Sequence, residues 1–154
     1  MVETKDIENL AMERFSFLKG YGFHEPLLRP NNWQSRISYL ADNIGIDVEL
    51  DWRDMWVFVL IVRLESGKLP NGYYVSETDG KICRIHLQKA LYNLGYRDEQ
   101  INAERCYKKQ KKKKQKSPSV EGMQAQLESD SNLLKKTIDL IVSKQESIFT
   151  EGAI

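Results

Sequence analysis

The chain has 154 residues, of which 41% are hydrophobic, and a net charge of +1, which are ordinary values for a single globular domain. Its two cysteines, Cys83 and Cys106, are too few for a disulfide framework. Its longest apolar run, residues 55–62, is shorter than the ~20 residues of a transmembrane helix. Because the charged N-terminus also lacks the apolar segment of a signal peptide, we expect a cytoplasmic protein that has no membrane partner.

The charges are unevenly distributed along the chain. Residues 1–104 contain 12 basic and 16 acidic residues, and residues 117–154 contain three basic and six acidic residues. Between them, residues 105–116 contain eight basic residues and no acidic ones. One short segment therefore supplies the whole positive excess. The predicted organisation is an α+β domain at residues 1–104, a lysine-rich linker at 105–119 and an amphipathic C-terminal helix at 120–150.

The elements of the first part follow from the spacing of its apolar residues. Helical spacing predicts a first helix over residues 3–19, which Gly20 and Gly22 end, and proline and asparagine residues predict a loop over 23–33. The later predicted elements are strands at 36–41, 44–52, 55–64 and 73–75, a second helix at 83–94 and a short helix at 98–107. We expect an α+β fold in which the N-terminal helix and the second helix pack on an antiparallel sheet of three or four strands.

The predicted C-terminal helix has an apolar stripe. Leucine or isoleucine recurs every seven residues at positions 127, 134, 141 and 148, but Ser131 and Gln145 occupy alternate heptad positions. This is half of a coiled-coil seam. We expect a long helical appendage that either packs on its own chain or forms a homodimer.

Strict alternation over residues 44–52 places Asp47, Glu49 and Asp51 on one face of a strand, and Asp54 lies in the turn that follows. A two-residue turn would place Asp51 opposite Trp56, whereas a three-residue turn would place Trp52 there; both registers remain open. The acidic face is expected to face water, as in a half-buried strand, or a basic partner protein. In the second case these four acids would steer the partner, and Trp56 or Trp33 would be the apolar anchor.

Two groups of residues share some features with metal sites. A nuclease site needs converging carboxylates and a lysine, and Asp51-Trp52-Arg53 supplies an arginine instead. Cys83 and His86 would share a face of the second helix and could bind zinc, but the close repeated spacing of zinc motifs is absent. We predict no metal, no cofactor and no catalytic residue, and therefore a protein that is not an enzyme.

Seven lysines lie within nine positions of the basic segment, and they would attract a nucleic-acid backbone. Only one aromatic residue, Tyr107, is near for base stacking, and a Ser-Pro-Ser breaker follows, which favours a solvated linker. Nucleic-acid association remains the alternative function. The lysines concerned are Lys108, Lys109, Lys111, Lys112, Lys113, Lys114 and Lys116.

Residues 10–95 resemble a loose group of small uncharacterised bacterial proteins. In that group a helix ending in an aromatic pattern precedes a strand pair with an acidic turn. The matching residues are Phe17-Leu18, Tyr21-Gly22-Phe23 and Asp51-Trp52-Arg53. Some members look like immunity partners of secreted toxins, so the resemblance implies a non-enzymatic protein that binds and blocks a toxin in the cytoplasm.

Overall fold

The computed structural model describes residues 4–104 and 119–149, which form an α+β fold with a five-stranded antiparallel sheet in the order β1-β2-β3-β4-β5. The lysine residues 108–116 and most of the predicted linker lie outside the described residues. The strands are β1 (Leu27–Pro30), β2 (Gln34–Leu40), β3 (Ile44–Asp51), β4 (Trp56–Arg63) and β5 (Arg84–His86). The helices are α1 (Thr4–Arg14), a 3-10 helix (Ser16–Tyr21), α2 (Leu87–Asn93), α3 (Asp98–Glu104), α4 (Val120–Ser143) and α5 (Gln145–Ile148).

The sheet has five strands rather than the predicted three or four. β1 lies within the predicted loop at 23–33, and β5 occupies the start of the predicted second helix, which begins only at Leu87. Residues 73–75 form no strand; Val75 makes a single bridge to Ile82. Strands of four and three residues show too little alternation to be recognised, and they form because β2 and β4 offer them a pairing edge.

The first helix, predicted over residues 3–19, is observed as two consecutive segments with different winding. α1 stops at Arg14 and the chain continues as a 3-10 helix to Tyr21. Gly22 then adopts a left-handed conformation with φ of 94°, and its N–H bonds to the last carbonyl groups of that helix. A residue with a Cβ would be strained in that conformation, so the glycine sets the end of the helix.

The core lies between the helices and one face of the sheet. The predicted alternation of β3 is confirmed on this face, where Ile46, Val48 and Leu50 are fully buried. Ser119 begins α4 by accepting a hydrogen bond from the Gly122 N–H, and the apolar stripe of α4 is buried in the same core. The stripe residues Leu127, Leu134, Ile138 and Ile141 are 0% exposed.

α4 is therefore part of the core and not an appendage, and its stripe packs on its own chain, which was one of the two alternatives. A homodimer formed through the same residues would have to remove them from this core. None of the helices in the described ranges combines the length and the apolar content needed to cross a membrane.

Candidate binding surface on the open sheet face

The second face of the sheet is the one from which Asp47, Glu49 and Asp51 project. Asp51 pairs with Trp56 and Glu49 with Phe58, which is the pairing expected for the shorter of the two predicted turns. The connection nevertheless contains four residues, 52–55. It is closed by Oδ1 of Asp51, which accepts hydrogen bonds from the N–H groups of Arg53 and Asp54 at 2.9 and 3.1 Å.

The expectation that the acidic residues face water is wrong for Asp47, whose side chain is 0% exposed. Its carboxylate accepts hydrogen bonds from the Ser38 hydroxyl at 2.7 Å and from Nε of Arg84 at 2.9 Å. Arg84 in turn donates from Nη1 to the carbonyl groups of Gly72 and Tyr73 at 2.9 and 3.1 Å. The segment at residues 71–75 thus covers this part of the face, and Asp47 is an internal partner of Arg84.

Glu49 is also buried rather than exposed to water. The Tyr73 hydroxyl lies 2.8 and 2.9 Å from its two carboxylate oxygens, and Nε of Arg36 lies 3.3 Å away. Burial raises the pKa of Glu49, and the hydrogen bond from Tyr73 opposes that rise. Burial, followed by the nearby Glu49 charge, raises the pKa of Tyr73, so the tyrosine keeps its proton and remains a donor.

The structure places the other predicted contact residues at the surface. Asp51 is half-buried, and Asp54 is the one predicted acid that is exposed. Trp33 and Trp56, the two candidates for an apolar anchor, are 60% and 50% exposed. The guanidinium of Arg53 stacks over the Trp33 ring at 5.0 Å, and the Trp52 N–H bonds to the Trp33 carbonyl, which holds Trp33 beside the β3–β4 turn.

We call the uncovered part of the second face the open sheet face. The core cluster that includes the helices lies against the opposite side of the sheet, and segment 71–75 covers the parts around Asp47 and Glu49. The residues of the open sheet face are either exposed or half-buried. They are Leu27, Arg29, Gln34, Arg36, Trp56 and Phe58.

Sequence reasoning missed Arg29 and Arg36, which lie directly opposite each other on β1 and β2. Nη2 of Arg29 donates to the Ser38 hydroxyl at 2.8 Å. Arg29 is exposed, but partial desolvation of its guanidinium lowers its pKa, and repulsion from Arg36 lowers this pKa further. The only available signal was the pairing of β1, and β1 was predicted as a loop.

Cys83 and His86 do not share a helix face as predicted, because both residues precede α2. Cys83 is fully buried just before β5 and its thiol donates to the Tyr73 carbonyl at 3.2 Å. His86 ends β5, where its Nε2 lies 2.8 Å from the Tyr74 hydroxyl. Within residues 4–104 and 119–149, no group of three histidine, cysteine or acidic side chains is arranged to hold a metal ion.

Comparisons of the chain with protein-family models, with curated proteins and with solved structures gave no match.

Proposed function

We propose that this protein is a binding module that recognises another protein through its open sheet face. The observation that supports this most directly is the exposure of Trp56, which is 50% accessible on a face that no described helix covers. Half-buried Phe58 follows it on the same face of β4. Large aromatic side chains are costly to leave in water and supply much of the binding energy of protein interfaces.

Trp33 and Arg53 extend the surface at the β3–β4 turn. Trp33 is 60% exposed, and the Arg53 guanidinium lies 5.0 Å from the centre of its ring. Tryptophan and arginine are the residue types most enriched among those that dominate binding energy, and a stacked pair loses less side-chain freedom when a partner arrives.

In its more specific form, the proposal is that the partner is a secreted toxin, which the protein binds and blocks in the cytoplasm. The support for this is the resemblance of residues 10–95 to a loose group of small bacterial proteins, some of which look like immunity partners of secreted toxins. Steering of a basic toxin by Asp47 and Glu49 is no longer part of the proposal, because both carboxylates are buried and bonded within the chain.

Nucleic-acid association through the lysine run is the second candidate, and the seven lysines within positions 108–116 favour it. The salt dependence of binding distinguishes nucleic-acid association from recognition of a protein through the open sheet face. Nucleic acid held by lysines would copurify with the protein and be released at high salt or on changing the lysines to glutamine.

The test of the proposed function is affinity capture from native cells with Trp56→Ala, compared with Tyr92→Ala as the control. Tyr92 is similarly exposed, at 48%, but lies on α2 rather than on the sheet. We expect the wild type and Tyr92→Ala to retain one protein partner that Trp56→Ala loses, with all three melting at similar temperatures. Retention of that partner by Trp56→Ala, or capture of nucleic acid alone, would contradict the proposal.

A further inference from the structure

The open sheet face has an unbalanced set of charges at the β1–β2 pair. Arg29 and Arg36 are cross-strand partners, and like charges directly opposite each other in a sheet are destabilising. The guanidinium groups of Arg29, Arg36 and Arg84 form a cluster with the carboxylates of Asp47 and Glu49. The third acidic residue of this face, Asp51, lies at the end of β3, where its Oδ1 atom closes the β3–β4 turn. One positive charge is therefore not neutralised within the cluster.

The hydrogen bonds show which arginines carry the positive charge that is not neutralised. Arg84 and Asp47 bond to each other, with 3% and 0% of their side chains exposed, and backbone carbonyls satisfy further donors of Arg84. Both oxygens of Glu49 accept from Tyr73. Arg36 lies near Glu49, but its buried Nε atom makes no hydrogen bond within the part of the chain that the structure describes.

Arg29 is more accessible to a ligand than Arg36 is. The Ser38 hydroxyl accepts one hydrogen bond from its Nη2, and the residue is exposed. A guanidinium has five N–H donors in a planar fork that matches a carboxylate or a phosphate. An anion placed between Arg29 and Arg36 would use these donors and remove the repulsion between the two side chains.

The outer edge of β1 is poorly suited to pair with a strand from a partner protein. The Asn31 N–H bonds to the Gln34 carbonyl, so by the alternation of an antiparallel pair Leu28 and Pro30 point their backbone groups away from β2. Pro30 has no N–H to donate there. With four residues and a proline at its outer edge, β1 is protected, and a ligand is expected on the face of the sheet instead.

We infer that the open sheet face binds an acidic segment of a partner protein, with an aspartate or glutamate carboxylate between Arg29 and Arg36. Apolar side chains of the same segment would lie against Trp56 and Phe58, which are on the same face of β4, two strands from Arg36 and three from Arg29. This inference rests on the proposed function and adds the chemistry of the partner.

A carboxylate fits this surface better than a nucleic-acid backbone does. The excess is a single positive charge, and Glu49 and half-buried Asp51 lie beside it on β3. A row of phosphates would be repelled by the carboxylates of Glu49 and Asp51. A single side-chain carboxylate flanked by apolar groups would avoid this repulsion.

The test is selection of random peptides displayed on phage against the purified full chain, followed by affinity measurements on synthetic copies of the selected peptides. We expect the peptides to share an acidic residue close to apolar ones. Arg29→Gln and Arg36→Gln should each weaken binding about tenfold, because a charge-assisted hydrogen bond is lost. Arg97→Gln, which changes an exposed arginine beside Tyr92, should leave binding unchanged.

The outcomes separate the two proposals. Selected peptides without acidic residues, or binding that Arg29→Gln does not weaken, would overturn the inference; the proposed function would survive if Trp56→Ala still abolished binding. Arg29 makes few contacts, so Arg29→Gln remains informative if Arg36→Gln unfolds the protein. Failure to select any peptide, or displacement of the peptides by free phosphate or single-stranded DNA at equal concentration, would also overturn the inference.

Discussion

Arg84 donates a hydrogen bond from Nε to Oδ2 of Asp47 over 2.9 Å, and the two side chains are 3% and 0% exposed. The pair joins β5 to β3 across the intervening strand β4. Through its bonds to the carbonyl groups of Gly72 and Tyr73, Arg84 also fixes the segment that covers this part of the sheet. A buried charge pair of this kind is costly to break, because the remaining charge is left without a partner.

Replacement of Arg84 by methionine should therefore lower the free energy of unfolding by about 3–5 kcal/mol. The isolated Asp47 carboxylate would remain buried with Ser38 as its remaining partner. Urea denaturation of the purified variant measures this change.

Two further variants separate the effect of charge from that of packing. The double variant Asp47→Leu with Arg84→Met removes both charges and should recover part of the lost stability. Lys19→Met breaks an exposed ion pair with Glu25 and should cost less than about 1 kcal/mol. An Arg84→Met variant as stable as Lys19→Met would show that the buried pair contributes little.

Glu49 should give the protein a measurable pH dependence. Burial raises its pKa in the folded state, so the folded protein binds this proton more tightly than the unfolded chain does. The stability that Glu49 contributes is therefore fully present below the ordinary carboxyl pKa and is lost as pH rises through the folded pKa. Glu49→Gln has no carboxyl group at this position and does not show this loss. Between the unfolded-state and folded-state pKa of Glu49, the free energy of unfolding of the variant should therefore fall less with pH than that of the wild type.

Urea denaturation over a series of pH values measures the difference, and Asp79→Asn provides a control of opposite sign. The Lys81 N–H and the Arg63 side chain lower the pKa of Asp79, so its stabilising effect is lost as pH falls. If the free energy of unfolding varied with pH in the same way for the wild type and for Glu49→Gln, burial would not raise the pKa of Glu49.

The fold was predictable where alternation is long and not where strands are short. Strict period-two spacing placed β3 within one residue of its observed end. The apolar stripe predicted the long C-terminal helix, but the predicted range 120–150 is divided at Lys144 into α4 and α5. β1 and β5 depend on edges offered by β2 and β4, and Pro30 is a breaker in any local pattern. The pairing that brings Arg29 opposite Arg36 could not be seen without β1.

Alternation gives the face of a side chain but not what covers that face. The sequence placed Asp47 and Glu49 correctly on the side opposite the apolar core, yet their burial depends on Tyr73 and Arg84, which lie much later in the chain. No local pattern marks a loop that folds back over a sheet. Trp33 and Trp56 are predicted as candidate anchors from their residue type alone, and their exposure is known only from the structure.

The role of α4 in the core leads to a prediction about truncation. Burial of a leucine or isoleucine side chain is worth about 1.5–3 kcal/mol, and Leu127, Leu134, Ile138 and Ile141 are all fully buried. Their loss would remove a large part of the ~5–15 kcal/mol that stabilises a typical domain. A chain that ends at residue 118 should therefore fail to give a cooperative thermal unfolding transition.

A single substitution tests the same contact in the intact chain. Leu134→Ala should lower the free energy of unfolding by about 2–5 kcal/mol, since it leaves a cavity in a packed core. Lys144→Ala, at the exposed C-terminal end of α4, is the control and should have little effect. If the truncated chain melted cooperatively at the wild-type temperature, α4 would be an appendage after all.

The thiol of Cys83 reports on the segment at residues 71–75. Cys83 is 0% exposed, its Sγ donates to the Tyr73 carbonyl, and burial raises its pKa. In a Cys106→Ser background, where Cys83 is the one cysteine left, the folded protein should react with a thiol reagent far more slowly than the unfolded protein. Reaction should require local opening of the segment.

Tyr73→Phe should accelerate this reaction, because it removes the hydroxyl that bonds to Glu49 and anchors the segment to the sheet. Tyr92→Phe, on α2, is the matched control and should react at the rate of the Cys106→Ser protein. Equal rates for the two tyrosine variants would mean that the Tyr73 hydroxyl does not hold the segment closed. The carbonyl groups that Arg84 binds would then be its main anchor, and Arg84→Met should expose the thiol instead.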